Sequence, residues 1–307
     1  MMGNSSNKPL VTIGIPTYNR ADGNLRKVIE RSLGQSYENI EVVVSDNCST
    51  DHTPELVQSI TDPRLRYIRQ QTNIGPTNNF NFCMNEARGE YFLLFHDDDM
   101  IDEDFVEYCM ASVEPGQTVG TIHTGVRIID EHNLVQEEHP NKAGGVSAAD
   151  FIRSWYRGTT ALYLCNTLYN TARLKDAGGF ASKKNLFNDL MPTFTLATKY
   201  GRADVADIKA SFRRHPGNRG SRFPVQDWTV DSLQLLDLVC DLLPGECPEL
   251  KAEGQRYFCK KMYWYASRST SVRQRLMDYM RSYKAFDYSI SPLSYFYAKK
   301  IRRILGF

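Results

Sequence analysis

No stretch of the chain approaches 18 apolar residues, so nothing in it reads as a membrane-spanning helix. It also lacks a charge excess. The 37 Lys and Arg nearly balance 36 Asp and Glu, for a net +1, which removes any whole-molecule electrostatic case for binding nucleic acid. Any anion site must therefore be local. The seven cysteines, Cys48, Cys83, Cys109, Cys165, Cys240, Cys247 and Cys259, are odd in number, scattered, and form no Cys-x-x-Cys pair. That pattern argues against a zinc site or a disulfide framework and fits a reducing compartment. Residues 1–9 are polar, without the apolar core of a signal peptide, so the expected location is cytoplasmic.

With 41% apolar and 24% charged residues over 307 positions, the composition is that of a globular protein of one large domain or two ordinary ones. The first hundred residues alternate strand and helix patterns, the mark of a parallel sheet covered by helices. Leu10 to Ile15 reads as a buried strand closed by Pro16. Leu25, Val28, Ile29 and Leu33 then repeat at helical spacing behind Asp22 as N-cap. Ile40 to Val44 is a second strand, followed by a helix from Thr53-Pro54. A strand over Arg66 to Arg69 and a helix over Pro76 to Ala87 lead to an apolar strand, Tyr91 to Phe95. Later segments read as a helix over Asp104 to Val113, a strand over Val119 to Ile129, a helix after Ser147, a strand over Ala161 to Leu168, and mostly helix from Trp228.

His96-Asp97-Asp98-Asp99 follows the strand Tyr91 to Phe95 directly. Two such charges about 5 Å apart repel by roughly 3 kcal/mol at an effective dielectric of 20. A divalent cation would relieve that strain, since hard ions prefer oxygen ligands; a solvated acidic turn is the plainer reading. Other polar clusters, Tyr18 with Arg20 and Asp46 with Asn47, also sit just past strands. In open α/β sheets that carboxyl edge is where ligands bind.

Several motifs, in order, resemble those of inverting nucleotide-sugar glycosyltransferases of the GT-A fold, family 2-like. They are Val11 to Arg20, Gln35-Ser36-Tyr37, Ile40 to Asp51, Asn73-Ile74-Gly75, Gly89-Glu90-Tyr91 and the acidic run; the likeness resumes from Gly178 to Gly201. The resemblance implies an α/β Rossmann-like, mainly parallel sheet with a mostly helical C-terminal region. It divides the chain into a flexible N-terminus (1–9), a nucleotide-sugar-binding half (10–115), an acceptor-binding and catalytic half (116–227) and a helical C-terminal region (228–307). Implied partners are a UDP- or dTDP-linked sugar and a saccharide or lipid-linked saccharide acceptor, with Mn²⁺ or Mg²⁺ as cofactor.

Residue by residue, the resemblance and the chemistry give these expectations. Pro16, Thr17, Tyr18, Arg20, Asp46, Asn47, Asn73 and Asp97 are assigned to the nucleotide, with Tyr18 and Arg20 covering base or ribose and Asp46 accepting the imide N–H of uracil or thymine. Asp98, Asp99 and His215 are assigned to the metal. The family's usual Asp-x-Asp would place its first carboxylate at His96, which reads here as structural. Strand parity would instead put Asp97 and Asp99 on one face, so which of the three aspartates ligates stays open. Asp189, after the Gly178-Gly179-Phe180 turn, matches the catalytic base, and Asn188 replaces the customary Glu. Asn188, Arg214, Arg219 and Arg222 are expected acceptor or phosphate contacts, the arginines in a cationic flap.

Two further readings remain at this level. The helix carrying Tyr295, Phe296, Ala298, Ile301 and Leu305 among basic residues suits an anionic membrane surface or a packing partner, including a second copy in a homo-oligomer. The atypical His96 and Asn188 keep a noncatalytic nucleotide-sugar-binding protein as the alternative. A dehydrogenase or nucleotidyltransferase is disfavoured because no Gly-rich loop follows the first strand.

Overall fold

The computed structural model describes residues 8–214 and 223–305. Strand β1 (Val11–Thr17) lies between β2 (Ile40–Asp46) and β4 (Tyr91–Leu94), with β3 (Leu65–Arg69) outside β2, all parallel. β1, β2 and β4 are buried along their whole length. Sheets covered on both faces need such uninterrupted apolar runs, and each fully buried Val or Leu contributes roughly 1.5–3 kcal/mol relative to exposure. Pro16, which cannot donate to a ladder, falls inside β1 rather than ending it. There β1 pairs with β2 alone, because its pairing with β4 stops at Gly14.

The sheet then turns antiparallel. The strand order β3-β2-β1-β4-β8-β6-β9-β5 adds β8 (Thr167–Asn170), β6 (Thr121–Ile129), β9 (Arg202–Arg213) and β5 (Met100–Ile101), with β7 (Val135–His139) beside β6. Within this half only β6 and β9 run parallel among the described residues. The strand expected over Ala161 to Leu168 is instead a 3-10 turn, Leu164–Asn166, running into β8.

Helices α1 (Leu25–Leu33), α2 (Thr53–Gln58) and α4 (Phe105–Ala111) cover one face, while α3 (Pro76–Glu86) and α6 (Thr171–Asp176) cover the other. Asn24, not Asp22, stands at the start of α1. α5 (Ala148–Tyr156) begins at Ser147, whose side chain accepts from the Asp150 N–H as a capping residue should. α5 and α7 (Leu190–Tyr200) share a third core with α8 (Val225–Leu242) and α9 (Cys247–Ala266); α10 (Val272–Ala285) and α11 (Pro292–Leu305) follow.

One expectation is overturned here. Cys240 and Cys247 form a disulfide, their Cα atoms 4.5 Å apart. The turn Pro244–Glu246 folds the end of α8 back onto the start of α9, a juxtaposition that sequence spacing does not reveal. The cysteine pattern therefore no longer argues for a reducing compartment.

Candidate active site

From β1 the chain crosses to β2 on one side, and from β3 it crosses back to β4 on the other. Adjacent β1 and β4 therefore flank the topological switch point, where a crevice opens at the carboxyl ends of the strands. A cavity of about 590 Å³ lies there. Pro16 and Thr17 line it from the end of β1, Tyr18 and Arg20 from the loop after it, Asn47 and Asn73 from neighbouring loops, His96 to Asp99 from the turn after β4, and Asp189 from the second half.

The acidic run leaves extended geometry at once. The Asp99 N–H donates to the His96 carbonyl at 3.3 Å, a tight turn that brings His96 and Asp99 to the same side. Ligand atoms of His96, Asp98 and Asp99 lie within 4.8 Å of one another. This replaces the parity argument that paired Asp97 with Asp99 and sets the His96 ring beside two carboxylates. Asp97 turns away to Arg20 Nε (3.2 Å) and accepts from Thr17 Oγ1 (3.2 Å). Burial raises its carboxyl to about 6 even with the Arg20 charge beside it. Asp99 is buried, and that burial, then the adjacent Asp98 charge, pushes its carboxyl well above the usual carboxylate value. An imidazole with two carboxylates is a donor set that fits Mn²⁺ or Mg²⁺.

Arg213 ends β9 and is buried. Its backbone N–H donates to Asp99 Oδ1 (3.0 Å), and its guanidinium to the carbonyls of Asp98 (2.7 Å) and Asp130 (2.6 Å) and to Asn133 Oδ1 (2.7 Å). The guanidinium thus fixes the acidic turn from behind. Arg213→Met should lower unfolding free energy by about 2 kcal/mol, since it strips a charged donor from the half-buried carbonyls of Asp98 and Asp130; a urea melt measures this.

Asp189 precedes α7 and accepts from the Leu190 N–H at 2.9 Å. It is thus both a helix cap and a cavity wall. Burial raises its carboxyl to about 6, offset in part by that hydrogen bond and by the Lys261 charge. Lys261 of α9 is a residue the sequence reading missed. Burial lowers its ammonium to about 8. It sits among the rings of Phe187, Tyr257, Trp155 and Trp228, 5.4–5.7 Å from their centroids.

Two anchors hold the loop that carries Asp189. Gly178 and Gly179 take positive φ, and a Cβ on Gly179 would strike the Asn81 side chain. Asn81 brackets Phe180, accepting from its N–H (2.8 Å) and donating to its carbonyl (3.0 Å). Fully buried Asp231 of α8 accepts from Ser182 Oγ and from the N–H groups of Lys184 and Leu186 at 2.7–2.8 Å.

Other expected contacts do not reach the cavity. Asp46 is fully buried behind its wall, bonded by the Ser49 N–H (2.9 Å) and Tyr67 hydroxyl (2.7 Å) and lying 3.6 Å from Arg69. That leaves its carboxylate no open face for a base. Asn188 is buried against Thr77 of α3 at 3.5 Å, and Arg214 pairs with Glu137 at 2.6 Å. His215, Arg219 and Arg222 lie outside the described residues.

A cavity at the switch point of such a mixed sheet, faced by a metal-suited turn and a half-buried carboxylate, defines the GT-A class of fold. The model of glycosyl transferase family 2 matches residues 12–175, more than half of the sequence. The chain belongs to that family. Among curated relatives it is 42% identical over 96 residues to the succinoglycan biosynthesis protein ExoO of Rhizobium meliloti, covering 31% of this chain and 27% of that one. It is 37% identical over 95 residues to the putative colanic acid biosynthesis glycosyl transferase WcaA of Escherichia coli, covering 30% and 34%. The matches thus span about a third or less of either relative. Among solved structures, Staphylococcus aureus TarS 1–349 in complex with UDP-GlcNAc superposes with a TM-score of 0.70 at 18% identity, over 91% of this chain and 81% of that one. The mannosyltransferase PcManGT of Pyrobaculum calidifontis, in complex with GDP-Man and Mn²⁺, gives 0.57 at 17% identity, over 98% and 82%.

Proposed function

We propose that the protein is an inverting glycosyltransferase that moves a sugar from UDP or dTDP to an acceptor hydroxyl in polysaccharide or glycoconjugate synthesis. The carrying observation is that Asp189 opens on the same cavity as His96, Asp98 and Asp99. In this reading residues 10–115 hold the nucleotide, 116–227 supply the base, and 228–307 support it. Tyr18 covers the base with its ring, and the Asn47 and Asn73 amides offer donor and acceptor atoms to an imide edge. His96, Asp98 and Asp99 hold Mn²⁺ or Mg²⁺, which when bound supplies Lewis-acid neutralisation of the diphosphate.

Asp189 takes the proton of the acceptor hydroxyl. The freed oxygen bonds to the anomeric carbon from the face opposite the nucleoside diphosphate, whose bond to that carbon breaks. One displacement inverts the centre. The acceptor is a saccharide or a lipid-linked saccharide, and relatives named for succinoglycan, colanic acid and chondroitin synthesis support that class.

Incubation with UDP-, dTDP- and GDP-sugars, with Mn²⁺ or EDTA, tests the reading. Metal-dependent release of UDP or dTDP is expected. Release of GDP alone would overturn the donor assignment, and no release from any donor would favour the noncatalytic alternative.

A further inference from the structure

Helix α10 packs Tyr279 and Tyr283 against the helical core but leaves three other apolar side chains outside. It buries Asp278 and Ser282 and exposes Val272, Leu276 and Met280 by 60%, 58% and 58%. Residues four apart share a helix face, so the three exposed side chains form one stripe and the two buried ones mark the opposite side. On the inward side Gln274 donates to both Asp278 oxygens at 2.9 Å, and Arg281 lies 3.7 Å from that carboxylate. α11 extends the outer surface. Its Tyr295 and Phe296 turn inward onto Tyr263 and Tyr279, with ring centroids 5.3 and 5.1 Å apart. Leu293 and Tyr297, again four apart, are left 85% and 70% exposed.

Charge is concentrated on the same segment. Residues 267–307 carry nine Lys and Arg against Asp278 and Asp287, a net +7, while the other 266 residues carry 28 basic and 34 acidic groups, a net −6. Helical spacing sets Arg273 and Lys284 along one edge of the α10 stripe. A second copy meeting this face symmetrically would set one +7 segment against another. An apolar stripe with a basic edge suits anionic lipid headgroups, the apolar residues entering the interface and the cations staying at the phosphates.

We propose that this face of α10 and α11 seats in the plane of an anionic bilayer surface. Attachment is peripheral, since no helix among the described residues is long and apolar enough to cross a membrane. The inference does not rest on the transferase reading, because binding needs no turnover.

Sedimentation of the full chain with vesicles of phosphatidylcholine alone, or mixed with phosphatidylglycerol, tests it. Binding to the anionic vesicles only is expected, and it should weaken as salt rises. Leu276→Ser with Met280→Ser should abolish binding although every cation remains. Arg273→Gln with Lys284→Gln should weaken it about thirty-fold, from about five-fold for each surface cation. All four positions are exposed, and circular dichroism melts should match the wild type. Failure to sediment with either vesicle, or equal binding to both, would overturn the proposal. So would a concentration-dependent dimer that the Leu276→Ser and Met280→Ser change dissolves.

Discussion

Asp189→Asn is expected to cut transfer about a thousand-fold, the middle of the range for a positioned general base, while making the protein more stable. Its carboxyl stands at about 6 against an ordinary 3.8, raised chiefly by burial. A group raised on folding stabilises most below its unfolded value, and that contribution is lost as pH rises through about 6. At neutral pH the ionised form is therefore a liability that an amide removes. Asparagine caps a helix as well as aspartate does. After discounting for its partial exposure, a gain of about 1 kcal/mol is expected in a thermal melt at pH 7.5 and none near pH 3. Lys261→Met is the companion test. Without the ammonium, the Asp189 carboxyl should rise further, moving the acid limb of the pH-rate profile upward from near 6 and costing more activity at pH 6 than at pH 8. A uniform loss at all pH values would mean that Lys261 acts only through packing.

The second large effect falls on the acidic turn. In the wild type, UDP at a hundred times its dissociation constant should add about 2.7 kcal/mol of stability, and only with Mn²⁺ or Mg²⁺ present. Asp98→Asn should remove this metal-dependent increment. His96→Ala should weaken metal affinity about ten-fold while leaving the metal-free melt nearly unchanged. If Asp98→Asn keeps the full increment, the cation binds elsewhere.

The parallel half was legible because its strands are buried on both faces. Runs such as Val42-Val43-Val44 can be little else, and strand ends can be read from the polar residues that follow. β9 was not legible, because its charges obscure the alternation of Ala203 and Val205. Arg202 pairs with Asp204 at 2.9 Å along the strand, and Lys209 with Asp104 at 2.7 Å, a partner that only the fold reveals. Asp46 shows the same limit within the site. Its place at a strand end could be read, but β3 sets Arg69 directly beside it in register and brings Tyr67 to its carboxylate. The pairing of Asp97 with Asp99 failed because parity holds only while a strand continues, and β4 stops at Leu94.

The family signature ends at residue 175, yet Asp189 and both groups tied to it from the helical region, Asp231 and Lys261, come later. The recognisable module is therefore not portable. If Asp189 is the base proposed above, a chimaera that grafts residues 1–227 onto the helices of another family member would keep the cavity wall of the first half but leave that base with neither tether nor counter-charge. On the proposed reading, a change confined to the helical region can therefore reach the base without touching the donor pocket.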